Sequence, residues 1–106
     1  IEPLGAQYKY WYDVLARRWA APFGEVDLVA RRDGALHFVE VKTRRAGELH
    51  PPEDSVTREK QERYYSLAAY FLKEHGLRDV SCRYHIVSIE VDETGRYTLD
   101  FQRNAF

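Results

Sequence analysis

The chain has 106 residues, 44% of them hydrophobic and 31% charged, with sixteen Lys+Arg set against seventeen Asp+Glu for a formal net charge of −1. This is globular composition that fits one domain over residues 1–106. It excludes a disordered tail, and the cancelled charge excludes a polycation that binds nucleic acid by bulk charge alone. Taken in chain order, Leu4, Tyr8 and Trp11 stand at helical offsets and predict a short first helix over 4–11. A strand is expected over 14–19, and Pro22-Phe23-Gly24 supplies a turn. Residues 25–32 then alternate, with Val26, Leu28 and Ala30 on one face and Glu25, Asp27, Val29 and Arg31 on the other. Asp33-Gly34 is a two-residue hairpin signal, because both positions tolerate positive φ, and 35–44 is the return strand. Residues 46–54 carry Gly47, Pro51 and Pro52 and read as a loop. Thr57 is the expected N-cap of a helix to about His75, whose apolar stripe is Tyr64, Leu67, Ala68, Phe71 and Leu72 and whose end is Gly76. Its charged first turns, 58–63, are expected to project past the core. Two further strands, 81–91 and 97–103, complete an order α-β-β-β-α-β-β. That order predicts an α/β (α+β) domain with a central mixed sheet flanked by helices.

Cys82 is the only cysteine. A disulfide framework and a thiolate zinc cluster are therefore excluded, and a reducing, cytoplasmic setting is expected. The start, Ile1-Glu2-Pro3, has no basic stretch leading into an apolar core, and no uncharged run suits a bilayer span, so neither a signal peptide nor a membrane association is expected.

The chemistry concentrates in two neighbouring strands. Glu40 and Lys42 are two apart and share one face. Centring the hairpin on Asp33-Gly34 sets Asp27 directly opposite Glu40, so two carboxylates and a lysine converge before any tertiary fold is assumed. Two hard oxygen ligands there suit Mg²⁺ or Mn²⁺ with waters left over for phosphate oxygens, and Lys42 adds a cation to orient water and stabilise developing negative charge. Glu25 is a further metal-ligand candidate, or a local stabiliser of Lys42. The same three groups also suit an ordinary cross-strand ion-pair patch on a wet sheet face. The pairing of acid with acid favours the metal, since like charges directly opposite repel unless a cation neutralises them.

The stretch Gly24-Glu-Val-Asp-Leu-Val-Ala30, followed by Phe38-Val-Glu-Val-Lys-Thr-Arg44, resembles the signature of the YraN family of small bacterial proteins. The similarity continues through 12–19, 56–61, Leu77-Arg78-Asp79, Cys82-Arg83 and 103–106, and so covers most of the chain. The resemblance implies a restriction-endonuclease-like, PD-(D/E)XK fold, with a metal-binding Asp at the position of Asp27 and a Glu-x-Lys element at Glu40 and Lys42. It also implies a nucleic acid substrate. The start departs from the family pattern: a Gly-Glu pair and a longer first helix are usual, and counting back from Tyr12 finds no match for that Glu, which leaves the first helix incomplete as an expectation. Gln61, with Tyr65 four residues on, is similar to an arrangement in exonuclease-type members of the superfamily and is a fourth catalytic candidate.

Nucleic acid, DNA ahead of RNA, is the expected partner, held by Arg44, Arg45, Arg58 and Lys60 on a basic rim around an acidic centre. His37 and His85 alternate with apolar residues and read as structural. The leading expectation is a metal-dependent nuclease that hydrolyses phosphodiester bonds. Its rivals are a catalytically weak nucleic-acid-binding or repair-accessory domain, and a structural or protein-interaction module built on the aromatic cluster Tyr8, Tyr10, Trp11 and Tyr12. A homodimer is expected of a chain this small and aromatic.

Overall fold

The computed structural model describes residues 13–47, 57–102 and 105–106. The elements in chain order are β1 (Asp13–Ala21), β2 (Gly24–Arg32), β3 (Ala35–Arg45), α1 (Arg58–Glu74), β4 (Ser81–Val91) and β5 (Tyr97–Gln102). The first helix expected over 4–11, and most of the loop expected after Ala46, lie outside the described residues.

The strands form one sheet in the order β1-β2-β3-β4-β5. β1 with β2, β2 with β3 and β4 with β5 are antiparallel, whereas β3 with β4 is parallel. Antiparallel neighbours need only tight turns, but a parallel neighbour needs a long crossover, and α1 lies within the one between β3 and β4. The result is the mixed α+β arrangement the element order implied, consistent with a restriction-endonuclease-like fold.

Local chemistry explains the turns and caps. Asp33 and Gly34 both hold positive φ, 50° and 76°, as a type I′ hairpin requires, and Arg32 pairs with Ala35 across them. Thr57 caps α1, its Oγ1 accepting from the Lys60 amide at 3.1 Å. At the other end Gly76 takes φ 64°. The Gly76 and Leu77 amides then donate to the Lys73 and Leu72 carbonyls at 3.3 and 2.9 Å, a Schellman closure that only a residue free to enter the left-handed region makes without strain.

α1 buries Tyr64, Leu67, Ala68 and Phe71, the i, i+3, i+4, i+7 stripe of an amphipathic helix. They meet Val26, Val29, Leu36, Phe38 and Tyr84 of the sheet. Phe38 is the hub, with Phe71 edge-on at 5.9 Å and Tyr84 stacked at 5.8 Å. The chain end is tied to the same layer: the Ala105 amide donates to the Tyr84 carbonyl at 2.8 Å, and Phe106 stacks on the Tyr84 ring at 5.0 Å.

Two expectations are corrected. β2 does not alternate cleanly: Val26 and Val29, three apart, both reach the helix-side core, and so do Trp19 and Ala16 opposite them on β1. Between these pairs stand Arg18, with φ 49°, and Asp27, and no pairing joins them between Arg17↔Leu28 and Trp19↔Val26. A residue in the left-handed region rotates the chain out of the pleat, so β1 changes phase at Arg18, and β2 changes phase opposite it at Asp27. The first turns of α1 also do not all project past the core, because Lys60 and Gln61 are half-buried and Lys60 reaches Glu40 of the sheet.

Candidate functional site

The β2–β3 ladder runs from Arg32↔Ala35 to Leu28↔Val39, in the register centred on Asp33-Gly34. One step further brings Asp27 level with Glu40, and there the two strands part. β2 continues to Gly24 paired with β1 alone, while β3 continues to Arg45 paired with β4. Parting strands leave backbone donors that need partners. Asp27 supplies one, its Oδ2 accepting from the Val41 amide at 2.8 Å. The phase change at Asp27 thus turns its carboxylate sideways into the opening instead of up or down from the sheet.

Glu40 follows Leu36 and Phe38 on the helix-side face. Its Oε1 meets the Lys60 ammonium at 2.6 Å, with both side chains only 18% exposed. Its Oε2 is buried and has no hydrogen-bond partner. A buried acceptor left unsatisfied costs about 1–3 kcal/mol, so the carboxylate is half-answered by the protein. Tyr64, one helical turn beyond Lys60, senses both acids: burial first, then the negative charges of Glu40 and Asp27, hold its phenol far above the ordinary tyrosine range.

Lys42 and Arg44 succeed Glu40 on the same face, both half-buried, level with Ser88 and Glu90 of β4. Arg44 and Arg45 then line an open cleft of about 1030 Å³ with Thr43, Gly47, Val91 and Glu93 at the end of the parallel pair. Gln61 is half-buried in the first turn of α1 and shares a helix face with Tyr65, whose ring lies edge-on to Tyr84 at 5.1 Å.

The structure therefore brings together Asp27, Glu40 and Lys60, with Lys42 next along the strand and Gln61 beside Lys60 in sequence. It does not bring Glu25 to them. An added methyl group at Gly24 would meet the Leu67 side chain at 3.6 Å, and Val26 is in the helix-side core, so alternation turns exposed Glu25 to the other face. Arg58 is exposed and engages Glu62 at 3.4 Å, four residues along the same helix.

Two features were missed in reading the sequence. The Glu40–Lys60 contact had a signal, since Lys60 precedes Tyr64, Leu67 and Phe71 on the buried stripe by four, seven and eleven residues and so faces the sheet. The left-handed Arg18 had none, because arginine has no preference for that region.

Two carboxylates at a strand opening, one with a buried unanswered oxygen, suit a hard divalent cation. Mg²⁺ and Mn²⁺ take few protein carboxylates and complete their shell with water. Among the described residues no group of three or more His, Cys, Asp or Glu gathers that could hold a metal ion, so an ion at the opening would draw most of its shell from water. Among them, too, no helix is long and apolar enough to cross a membrane.

Comparison with known proteins places the chain. Residues 8–89 match the model of the family described as "Uncharacterised protein family UPF0102". A UPF0102 protein of Symbiobacterium thermophilum is 39% identical over 95 residues, spanning 90% of this chain and 80% of the relative. One from Moorella thermoacetica is 38% identical over 85 residues, spanning 80% and 71%. A third, from Dictyoglomus turgidum, is 39% identical over 94 residues, spanning 88% and 80%. The matched segment holds Asp27, Glu40, Lys42, Lys60 and Gln61, and with it the chain belongs to the UPF0102 (YraN) family.

Proposed function

We propose that the protein is a metal-dependent nuclease that hydrolyses phosphodiester bonds, with DNA preferred to RNA. The observation that carries this reading is the buried, unpartnered Glu40 Oε2 at the strand opening, beside Asp27, whose carboxylate accepts from the neighbouring Val41 amide. Asp27 and Glu40 would hold Mg²⁺ or Mn²⁺. Such an ion, when bound, polarises a phosphoryl oxygen and lowers the pKa of a coordinated water.

The remaining parts belong to the chain itself. Lys42, two residues from Glu40 on the same face, sets a fixed positive charge where negative charge develops on the phosphorus oxygens. Arg44 extends that positive line to the cleft it lines with Arg45, a path for the phosphate backbone on either side of the scissile bond. Gln61 offers an amide able both to donate and to accept, a group that can orient a water.

One observation favours a second reading. Among the described residues no group of three or more His, Cys, Asp or Glu gathers that could hold a metal ion, and Lys60 already engages Glu40. A nucleic-acid-binding or repair-accessory domain without turnover would need no more.

Calorimetric titration of Mn²⁺ into wild type, Asp27→Ala and Glu40→Ala tests the site, with binding lost in both variants as the expected result. Equal affinity in all three would overturn it. Incubation of branched, single-stranded and duplex DNA, and of RNA, with Mg²⁺ or Mn²⁺ tests the activity. Metal-dependent cleavage is expected from wild type and not from the Glu40→Ala/Lys42→Ala double variant. Salt-dependent binding without cleavage would establish the second reading.

A further inference from the structure

We propose that Lys60 is a built-in counter-cation of the site: it holds Glu40 while no metal is bound and is displaced when a divalent ion takes that carboxylate. This deepens the metal reading above and rests on it. The contact is not a rim ion pair. Its ends lie 2.6 Å apart, and each side chain is 18% exposed.

The backbone that carries Lys60 is fixed twice. Thr57 Oγ1 caps its amide, and Tyr64 and Leu67, one and two turns on, are buried against the sheet. The ammonium, by contrast, rides on a flexible four-carbon stem, so it can leave Glu40 without any movement of α1.

Charge and hydrogen bonding both leave the pair incomplete. Two carboxylates, Asp27 and Glu40, stand at the opening, and the single ammonium touches only one oxygen of one of them, leaving Glu40 Oε2 unanswered. A divalent ion held by Glu40 would share a carboxylate with that ammonium. In a half-buried site, where charges are poorly screened, the two cations repel strongly, and one position excludes the other.

Two consequences follow. Metal affinity in the resting protein is lowered by competition from its own side chain. The displaced ammonium is also released beside the loaded site, at the mouth of the opening, where a phosphate group is the complementary ligand. Lys60 is then a positioning residue that reports metal occupancy to an anionic substrate.

The first test uses the wild-type chain. Lysines are acetylated with a succinimidyl ester, with and without Mn²⁺, and quantified by peptide mass spectrometry. Lys60 labelling is expected to rise at least about fivefold with Mn²⁺, a coupling of ordinary allosteric size, while exposed Lys73 stays constant. Unchanged or reduced Lys60 labelling, under conditions where calorimetry shows Mn²⁺ bound in wild type and lost in Glu40→Gln, would overturn the proposal and leave the metal reading standing.

The second test is Mn²⁺ affinity in Lys60→Gln, checked for folding by circular dichroism. Binding tighter by about 5- to 150-fold is expected, and equal or weaker binding overturns the proposal. If neither wild type nor a folded Lys60→Gln binds Mn²⁺, the metal reading itself fails and the proposal with it.

Discussion

Two polar pairs are built into the same sheet, one on each face, and they differ in how completely they close. On the face away from α1, His37 and His85 meet at 2.7 Å between Nδ1 and Nε2 with their rings stacked 5.0 Å apart, and His85 is 3% exposed. One ring donates and the other accepts, so the two imidazoles answer each other. On the helix side Glu40 and Lys60 also meet at short range, but Glu40 keeps a buried oxygen without a donor. The closed pair stabilises the sheet and has nothing left to offer. The open one retains capacity for a ligand.

The hub between the two faces is the place to break both at once. Phe38 packs on Phe71 and Tyr84 and sits between His37 and the strand opening. Phe38→Ala should cost about 3–5 kcal/mol, the range for deleting a fully buried aromatic. In a urea melt at neutral pH this loss should exceed that of any substitution at either pair, and it should disturb both pairs together.

Lys60→Met separates them. It keeps much of the stem and removes the charge, leaving Glu40 half-buried without a counter-ion, and in the absence of metal it should cost about 1–3 kcal/mol. Adding Glu40→Gln to Lys60→Met should recover part of that loss, because the stranded charge is gone. A double-mutant cycle read by urea denaturation checks the sign of the coupling. Additive losses would mean the contact contributes nothing specific.

How much of this could be read from the residues alone follows from where each determinant lies. The Asp33-Gly34 turn is local chemistry, and it sets the register that brings Asp27 level with Glu40. The helix cap at Thr57 and the closure at Gly76 are equally local, and both stand where their residue types indicated. The parallel pairing of β3 with β4 is not local, since nothing in either segment names its neighbour. The phase change at Arg18 and Asp27 is also beyond a periodicity argument, because it depends on a left-handed arginine held by the tertiary fold. It is the step that turns Asp27 into the opening and Glu25 away from the others. Lys60 lies between these cases: its helical spacing points it at the sheet, but its identity as a charged residue in a charged run suggests solvent.

The histidine pair gives a smaller effect with a definite sign. Burial, aided by the positive charges of Arg32 and Arg83, lowers the His37 pKa below its usual 6.5. A base that resists protonation when folded binds fewer protons than the unfolded chain once the pH falls below 6.5, so stability is full above that value and is lost as the pH drops through the lowered one. The midpoint of thermal unfolding should therefore fall between pH 7 and pH 5, and His37→Gln should flatten that slope.

The smallest effect is expected two residues from Lys60, and it tests whether position or charge makes the open pair special. Arg58 also begins α1 and also meets a glutamate, Glu62, but at 3.4 Å with its side chain 92% exposed. Water screens such a pair and the ordering of two long side chains offsets most of its attraction, so surface pairs of this kind contribute little. Arg58→Ala should leave the unfolding midpoint and Mn²⁺ affinity unchanged. If Arg58 contacts the phosphate backbone, the same variant should lower the salt dependence of DNA binding by about one in log–log slope, uniformly across sequences. Loss of Mn²⁺ binding in Arg58→Ala would instead show that any cation at the start of α1 governs the site, and the distinction between the half-buried lysine and its exposed neighbour would collapse.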